Sequence, residues 1–406
     1  MSIAPDQECP SPPPAPTGLR RYMVVMSHRT IRWAFLGSLT SRLTQTMTPL
    51  ALLLFTQEHF GGFGAGGAVV ALYSFSASVG FPIVGRLVDH RGAIVLAVAA
   101  TVNAAGIVTL ALAPPQLIWP LTVIAGLFTP PLGAAMRSVF IRRLNRSSEQ
   151  ASAFSLDAIS TEVMFITGPA LVGVLIATAS SLIALLTAAT LSLLGTGLFV
   201  ATAGSVRSGS TRSRTYGCDL RQFVPLLFVV MLQMAAVGLV EVGITARAIE
   251  LKATSAAGAL LALWAAGSVV GGLVFGTRDW PGDVRRQSAV LLGLTSLGFG
   301  ALSIGQSTTA VCLLMFAAGL ALSPAATTLA AMCGLLAPPH MRTEAFTWLA
   351  SANGLGGAGG FALGGVLISH GSAQTAFVCA AAIPLLALLP MMTLLAKRFS
   401  HATTGS

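Results

Sequence analysis

Charge is what this chain lacks most. Of its 406 residues only 9% are charged while 54% are hydrophobic, and the mean hydropathy is +0.81. A soluble domain carries about 25% charged residues, so a water-solvated globule is excluded and a bilayer is the solvent that suits most of this surface. Other absences narrow the function. No Gly-x-x-x-x-Gly-Lys-Ser/Thr run is present, which removes the phosphate cradle an ATP-driven pump needs. Serine, histidine and aspartate gather in no nucleophile motif, so a membrane hydrolase is disfavoured and no enzyme activity is expected. The five cysteines, Cys9, Cys218, Cys312, Cys333 and Cys379, show neither metal nor redox spacing. His28, His59, His90, His340, His370 and His401 all fall at or near the ends of apolar runs. No metal or cofactor is expected.

Apolar runs of about 20 residues, each long enough for a helix to cross ~30 Å of hydrocarbon, recur along nearly the whole length. They predict an all-α membrane protein with twelve spans near 33–56, 67–86, 93–113, 117–137, 152–177, 181–203, 223–246, 257–277, 288–306, 310–333, 345–369 and 375–396. The net charge of +10 first suggests a nucleic-acid binder, and its distribution decides against one. With twelve spans, twenty of the 23 basic residues fall on one side. They are Arg20, Arg21, Arg29, Arg32, Arg86, Arg91, Arg137, Arg142, Arg143, Arg146, Arg207, Arg212, Arg214, Arg221, Arg278, Arg285, Arg286, Arg342, Lys397 and Arg398. Only Arg247 and Lys252 lie in an opposite loop, and Arg42 lies within the first span. This positive-inside pattern predicts cytoplasmic termini. Arginine outnumbers lysine beside abundant alanine and glycine, which points to a GC-rich bacterial genome and an inner-membrane location. Residues 1–30, with SPPPAP at 11–16, are expected to be a disordered cytoplasmic tail rather than a cleavable signal. A bundle over 31–203, a linker over 204–222, a second bundle over 223–398 and a tail over 399–406 complete the expected division.

The division rests on an internal repeat. Residues 153–176 align without a gap on 345–368, and 10 of the 24 pairs are identical. At an offset of 191, Gly80 and Gly85 fall on Gly271 and Gly276. Long repeat periods in so apolar a chain point to two homologous halves, as in transporters.

The most specific local signal is GFPIVGRLVDHRG at 80–92. Gly80 and Gly85 let their helix approach a neighbour closely. Asp89 can accept hydrogen bonds from free N–H groups at a nearby helix start, and Arg91 can pair with an acid across the same seam. The core Gly85-Arg86-Leu87-Val88-Asp89-His90-Arg91-Gly92 resembles the loop signature of the major facilitator superfamily between helices two and three. The resemblance covers essentially residues 30–398. It implies two six-helix bundles that alternate access, and a gate set of Gly85, Asp89, Arg91 and Gly92 latching onto the eleventh helix near Arg342-Thr343-Glu344. Ala93-Ile94 replace the usual basic pair, so part of that charge network is missing. The alternative is that Asp89 and Arg91 merely cap and solvate a tight loop. A second motif, Gly168-Pro169-Ala170-Leu171-Val172-Gly173, resembles part of the family's antiporter signature. Gly168 and Gly173 thin the helix, and Pro169 removes one backbone hydrogen bond and can kink it. The upstream glycines are replaced by Met164 and Ser160, and the arginine expected in span four is Thr122, which counts against a standard multidrug–proton antiporter. Pro130-Pro131 should break span four.

Ionisable groups inside the spans carry the remaining hypotheses, because arginine at the bilayer centre costs about 2.5–3.5 kcal/mol. Counted from the apolar boundaries, Arg42 lies ~14 Å deep and Glu162 ~15 Å deep. Equal depth makes a pair possible, either a static lock or a substrate or proton site. Glu241 either faces an external vestibule or pairs with Arg247. Asp157 is shallow enough to partner Arg137 or Arg142. Gln45, Asn103 and Asn353 could supply neutral hydrogen bonds, and Tyr73 and Trp264 occupy equivalent repeat positions, as cavity walls or as packing, with packing favoured. In the second copy, Leu349, Gly354 and Phe361 stand where Asp157, Glu162 and Pro169 stand in the first, a glycine-rich sliding surface opposite an acidic one.

These features point to proton-coupled export of a small organic molecule by a monomer in the lipid bilayer, with Arg42, Glu162 and Glu241 as coupling or substrate residues. The alternatives are uptake or facilitated diffusion of a metabolite, and a non-transporting sensor or assembly partner.

Overall fold

The computed structural model describes residues 20–60, 63–144, 146–203, 220–251, 257–370 and 372–402, and all regular structure among them is helical. In chain order the first half contributes α1 (Arg20–Ser27), α2 (Arg29–Phe60), α3 (Phe63–Arg91), α4 (Ile94–Leu112), α5 (Ile118–Leu127), α6 (Leu132–Arg143), α7 (Ser147–Thr178) and α8 (Ser181–Ala203). The second contributes α9 (Leu220–Glu250), α10 (Ala257–Gly276), α11 (Val284–Leu302), α12 (Thr308–Gly319), α13 (Leu322–Leu336), α14 (Arg342–His370) and α15 (Ala373–Ala402). Nine helical stretches among the described residues are long and apolar enough to cross a membrane. Of the other long helices, α2 and α11 carry arginines in their first turns and α14 is rich in glycine.

The expected linker at 204–222 falls almost wholly outside the described residues, as do Cys9, Cys218, Arg207, Arg212, Arg214 and Lys252. So do the side chains of Arg221, Lys397, Arg398, His59, His370 and His401. One boundary changes. Residues 20–27, expected in the tail, form α1, whose Tyr22 and Val25 are buried. The apolar core of this helix is too short to register as a span, yet it packs on α7 and α2.

Two breaks set up the geometry. The N–H-less pair Pro130-Pro131 ends α5 at Leu127 and restarts the chain as α6 at Leu132. Its counterpart, the step from α12 to α13 at Leu320-Ala321, occurs without a proline pair. Close helix contacts are made where glycine removes a side chain. A Cβ on Gly80 would lie 2.0 Å from the Leu127 carbonyl oxygen, and one on the matching Gly271 would lie 2.0 Å from that of Leu320. The repeat is therefore visible as equivalent backbone contacts in both halves.

The buried apolar side chains divide into three clusters. One draws on both halves and gathers where the arginine-bearing loops meet, with Val88, Phe140, Phe154, Leu329 and Phe346 among its members. Phe140, Phe154 and Phe346 form an aromatic chain with ring centroids 6.3 and 6.0 Å apart. Toward the other end there is one separate cluster per half, around Met47, Phe55 and Leu185 and around Leu239, Phe299 and Phe377. The two halves thus share a core at the arginine-rich end and part into separate cores beyond it.

Candidate functional site

The seam between the halves is held at the arginine-rich end by two pairs of helices, α3 with α14 and α7 with α10. Asp89 sits in the last turn of α3, which ends where Gly92 adopts a left-handed φ of 85°, a conformation that favours glycine. Its Oδ2 accepts the Glu344 N–H at 2.8 Å, a free donor in the first turn of α14, and its Oδ1 accepts Arg142 Nη2 at 3.4 Å. The hydroxyls of Ser138 and Thr343 meet across the same seam at 2.9 Å. One turn earlier, a Cβ on Gly85 would lie 2.4 Å from Thr347 Oγ1. A Cβ on Gly92 would meet nothing within 4 Å, so it shapes the turn, while Gly85 and Asp89 converge on the start of α14. Arg91 does not: it is exposed and makes no ion pair among the described residues.

The matching seam uses different chemistry on the same frame. A Cβ on Gly276 would lie 2.8 Å from Ser155 Cβ, and Ser155 is the repeat partner of Thr347. The Ser155 hydroxyl donates to the Gly272 carbonyl at 2.5 Å and that of Ser152 to the Gly276 carbonyl at 2.8 Å. Here α1 adds a clamp. Tyr22 OH lies 3.2 Å from the carbonyls of Gly272 and Leu273, and Arg21 makes a two-pronged contact with Asp279, one prong at 2.8 Å. That guanidinium holds the Asp279 carboxyl below the usual carboxylate range.

Deeper, the structure re-pairs the expected ion pair. Arg42 Nη1 donates to Asp157 Oδ1 at 2.5 Å and its Nη2 to Thr161 Oγ1 at 2.5 Å, while Arg137 Nε donates to Asp157 Oδ2 at 2.7 Å. Glu162 is not a partner of Arg42. On a helix Asp157 and Thr161 lie about 40° apart, whereas Glu162 is about 140° round from Asp157 and faces another neighbour. The expected pairing of Asp157 with Arg137 is present, and the Asp157 side chain is fully buried.

Glu162 faces the other half. Its Oε1 accepts the Ser268 hydroxyl of α10 at 3.0 Å, and Ser268 Oγ lies 3.1 Å from Ser323 Oγ of α13. Glu241 is close enough for its charge and that of Glu162 to interact. It does not pair with Arg247, which bonds Glu250 at 3.2 Å and lies over the Phe377 ring. Instead Glu241 lines a cavity of about 380 Å³ with Val242, Thr245, Ala246, Leu261, Phe361 and Ile368. Among the described residues the hydrogen bonds across the seam run from Arg21–Asp279 to Glu162–Ser268 on one side. On the other they run from Asp89–Glu344 to Ser351, whose hydroxyl donates to the Ser78 carbonyl at 2.6 Å. Glu162 stands at the inner limit of the shared seam.

The second motif of α7 divides. A Cβ on Gly168 would lie 2.0 Å from Thr46 Oγ1, so this glycine admits α2, but Gly173 has nothing within 4 Å and thins no contact. Pro169 lies within a continuous helix. The glycines of α14 are likewise not all on a sliding surface. Gly356 and Gly360 sit against the Met231 and Ala235 carbonyls of α9, where a Cβ would be 2.2 and 2.1 Å away, whereas Gly357, Gly359 and Gly365 face open space. Gln45 donates to the Pro130 carbonyl and Asn103 to the Ala125 carbonyl. Tyr73 and Trp264 are both buried as packing residues. Sequence reasoning missed Ser268, a lone hydroxyl in the run WAAGSVVGG whose repeat partner is Ala77, and it missed the Arg21–Asp279 clamp.

Residues 226–405 match the model of the Major Facilitator Superfamily. No curated protein matches the chain. Among solved structures, the human organic anion transporter MFSD10 (TETRAN) superposes with a TM-score of 0.71 at 16% identity, covering 89% of this chain and 99% of that one. A bacterial homologue of the iron transporter ferroportin in an outward-facing state gives a TM-score of 0.71 at 15% identity, covering 91% and 100%. At these identities the likeness is one of fold.

Proposed function

We propose that the chain is a major facilitator superfamily transporter, on its match over residues 226–405 and a fold shared over about nine-tenths of its length, and that it exports a small organic molecule in exchange for protons. In this reading twelve spans form two six-helix bundles, the arginine-rich end with both termini is cytoplasmic, and the conformation seen is closed on that side. Asp89, held on the first turn of α14 with Gly85 packed one turn before it, is the cytoplasmic latch. The Arg42–Asp157–Arg137 cluster is a static lock within the first bundle rather than the coupling site.

The single observation that carries the coupling is the placement of Glu162. A half-buried carboxylate of one half is held by a hydroxyl of the other at the inner limit of their seam, and a second carboxylate, Glu241, lines a cavity. Protonation removes a charge whose burial is costly, so it changes the stability of the closed seam. The lining beside Glu241 is apolar apart from that carboxylate and Thr245 and contains no basic group. It suits an uncharged or cationic organic cargo. The cargoes named for the two fold relatives, an organic anion and iron, differ from each other, and neither is carried over. Everted vesicles with an imposed pH gradient, screened against a panel of organic cations, test the reading. Flux that collapses with the gradient and in Glu162→Gln is expected. Full gradient-driven flux in Glu162→Gln would overturn it.

A further inference from the structure

The Ser268 hydroxyl lies 3.0 Å from Glu162 Oε1 and 3.1 Å from Ser323 Oγ. Both serines are buried, at 0% and 1% exposure. A hydroxyl has one hydrogen to donate, so Ser268 cannot donate along both contacts at once. Which one it serves is set by Glu162. An ionised carboxylate is acceptor-only, so Ser268 then donates to Oε1 and accepts from Ser323. A protonated carboxyl carries its own hydrogen, which is donated to Ser268 Oγ, and the Ser268 hydrogen turns toward Ser323.

We propose that Ser268 is a positioning residue that relays the protonation state of Glu162 into the second half, by reversing the direction of the Glu162–Ser268–Ser323 hydrogen-bond chain. No covalent step is involved: the proton that arrives stays on Glu162, and the two hydroxyl hydrogens only reorient. The relay joins α7 of the first half to α10 and α13 of the second. It also stands at a tight place. One turn along α10, a Cβ on Gly272 would lie 2.8 Å from both Ile159 Cγ1 of α7 and Ser323 Cβ of α13. A changed Ser268–Ser323 bond therefore bears on a contact without slack. The equivalent seam has no such chain, because Gly354 and Ala77 replace Glu162 and Ser268 there.

The charged surroundings leave Glu162 dependent on this chain. Arg42 of α2 and Arg137 of α6 are committed to Asp157 on α7 itself. Arg21 and Tyr22 of α1 lie at the far end of the seam on Asp279, Gly272 and Leu273. The described stretches of α8 and α10 contain no ionisable residue, α13 contains only Cys333, and Glu241 of α9 is the one other acid within reach.

The inference rests on Glu162 being the coupling residue, and the test separates the two. Hydrogen–deuterium exchange of the full chain in lipid nanodiscs, from pH 5 to 8.5 and corrected for intrinsic exchange, reports the latch through peptides covering 85–92 and 342–348. The wild type should switch between two uptake levels at a defined midpoint, and Glu162→Gln should abolish the switch. Ser268→Ala deprives the ionised carboxylate of its donor and should raise the midpoint by about one pH unit. Ser323→Ala, which does not touch Glu162, should raise it by less. A merely structural Ser268 would leave the Ser323→Ala midpoint unmoved. If Glu162→Gln abolishes the switch while both serine variants keep the wild-type midpoint, the relay is refuted and the coupling site stands. If Glu162→Gln leaves the switch intact, the coupling site falls and the relay with it.

Discussion

Asp157→Asn is the sharpest perturbation this structure offers. The Asp157 side chain is fully buried, and the two arginines it bonds are exposed by only 10% and 17%. Each carboxylate oxygen serves one guanidinium, so an amide there presents its NH₂ group to one of them and neutralises neither. Breaking a buried pair by removing one partner costs about 3–5 kcal/mol, because the other charge is left uncompensated. Relief is limited for Arg42, whose Nε lies only 3.2 Å from where a Cβ on Gly133 would be, so the α6 backbone hems the group in. The expected outcome in purified protein is a fall of roughly 5–10 °C in the unfolding midpoint, followed by intrinsic fluorescence. Arg42→Gln in the Asp157→Asn background should recover part of the loss, since a neutral pair replaces the stranded charge, and the cycle should give a coupling of ~1–3 kcal/mol. Strict additivity, or an Asp157→Asn midpoint equal to wild type, would show that the cluster is not a lock.

Two further outcomes are expected at the latch and the clamp. Gly85→Val should disrupt the α3–α14 seam, because its first added carbon falls 2.4 Å from Thr347 Oγ1; exchange at 342–348 should rise, and Thr347→Ala should restore part of the protection. The Arg21–Asp279 clamp follows pH with a fixed sign. Arg21 lowers the folded value of the Asp279 carboxyl, so its contribution is fully present above the unfolded value near 3.9 and is lost only as pH falls through the lower folded one. Exchange of α1 should therefore be the same at pH 7 and pH 5, and Asp279→Asn should raise it at both. Loss of α1 protection between pH 7 and pH 5 in the wild type would contradict the pairing.

Backbone-level features were the legible ones. Glycine spacing alone placed Gly80, Gly85, Gly271 and Gly276, and each sits where a side chain would strike a neighbour, because close approach of two helices depends on what is absent at one position. Asp89 was legible for a related reason: an acid at the end of a helix, beside a short loop, can accept the free N–H groups of a nearby helix start. The partner of Arg42 was not legible. Hydropathy fixes depth along a helix but not rotation about it, and Asp157 and Glu162 differ mainly in rotation. Helix extent was underestimated where a helix outruns its apolar segment, as α7 does by its polar first turn at Ser147-Ser148-Glu149. Hydroxyl partners such as Ser268 were hidden, since one serine among apolar residues carries no periodic signal.

The two seams are built on the same frame, so what differs between them isolates the working parts. Both place a helix-two glycine against a small hydroxyl residue of the partner, Gly85 against Thr347 and Gly276 against Ser155. Both end in a loop with a left-handed glycine, Gly92 at 85° and Gly282 at 92°. From there they part. The α3–α14 seam is closed by a carboxylate on free backbone N–H groups, a bond that survives only while α14 keeps its start in place, and no acid lies deeper along it. The α7–α10 seam is closed by hydroxyl-to-carbonyl bonds from Ser152 and Ser155 and by the α1 clamp, and it alone continues inward to a half-buried acid. Uncharged hydroxyl bonds do not answer to pH, and the clamp at Asp279 holds well into the acidic range. Among the described residues Glu162 is therefore the one acid that lies deeper than the loops along either seam, and the two seams meet through the aromatic contact of Phe154 and Phe346.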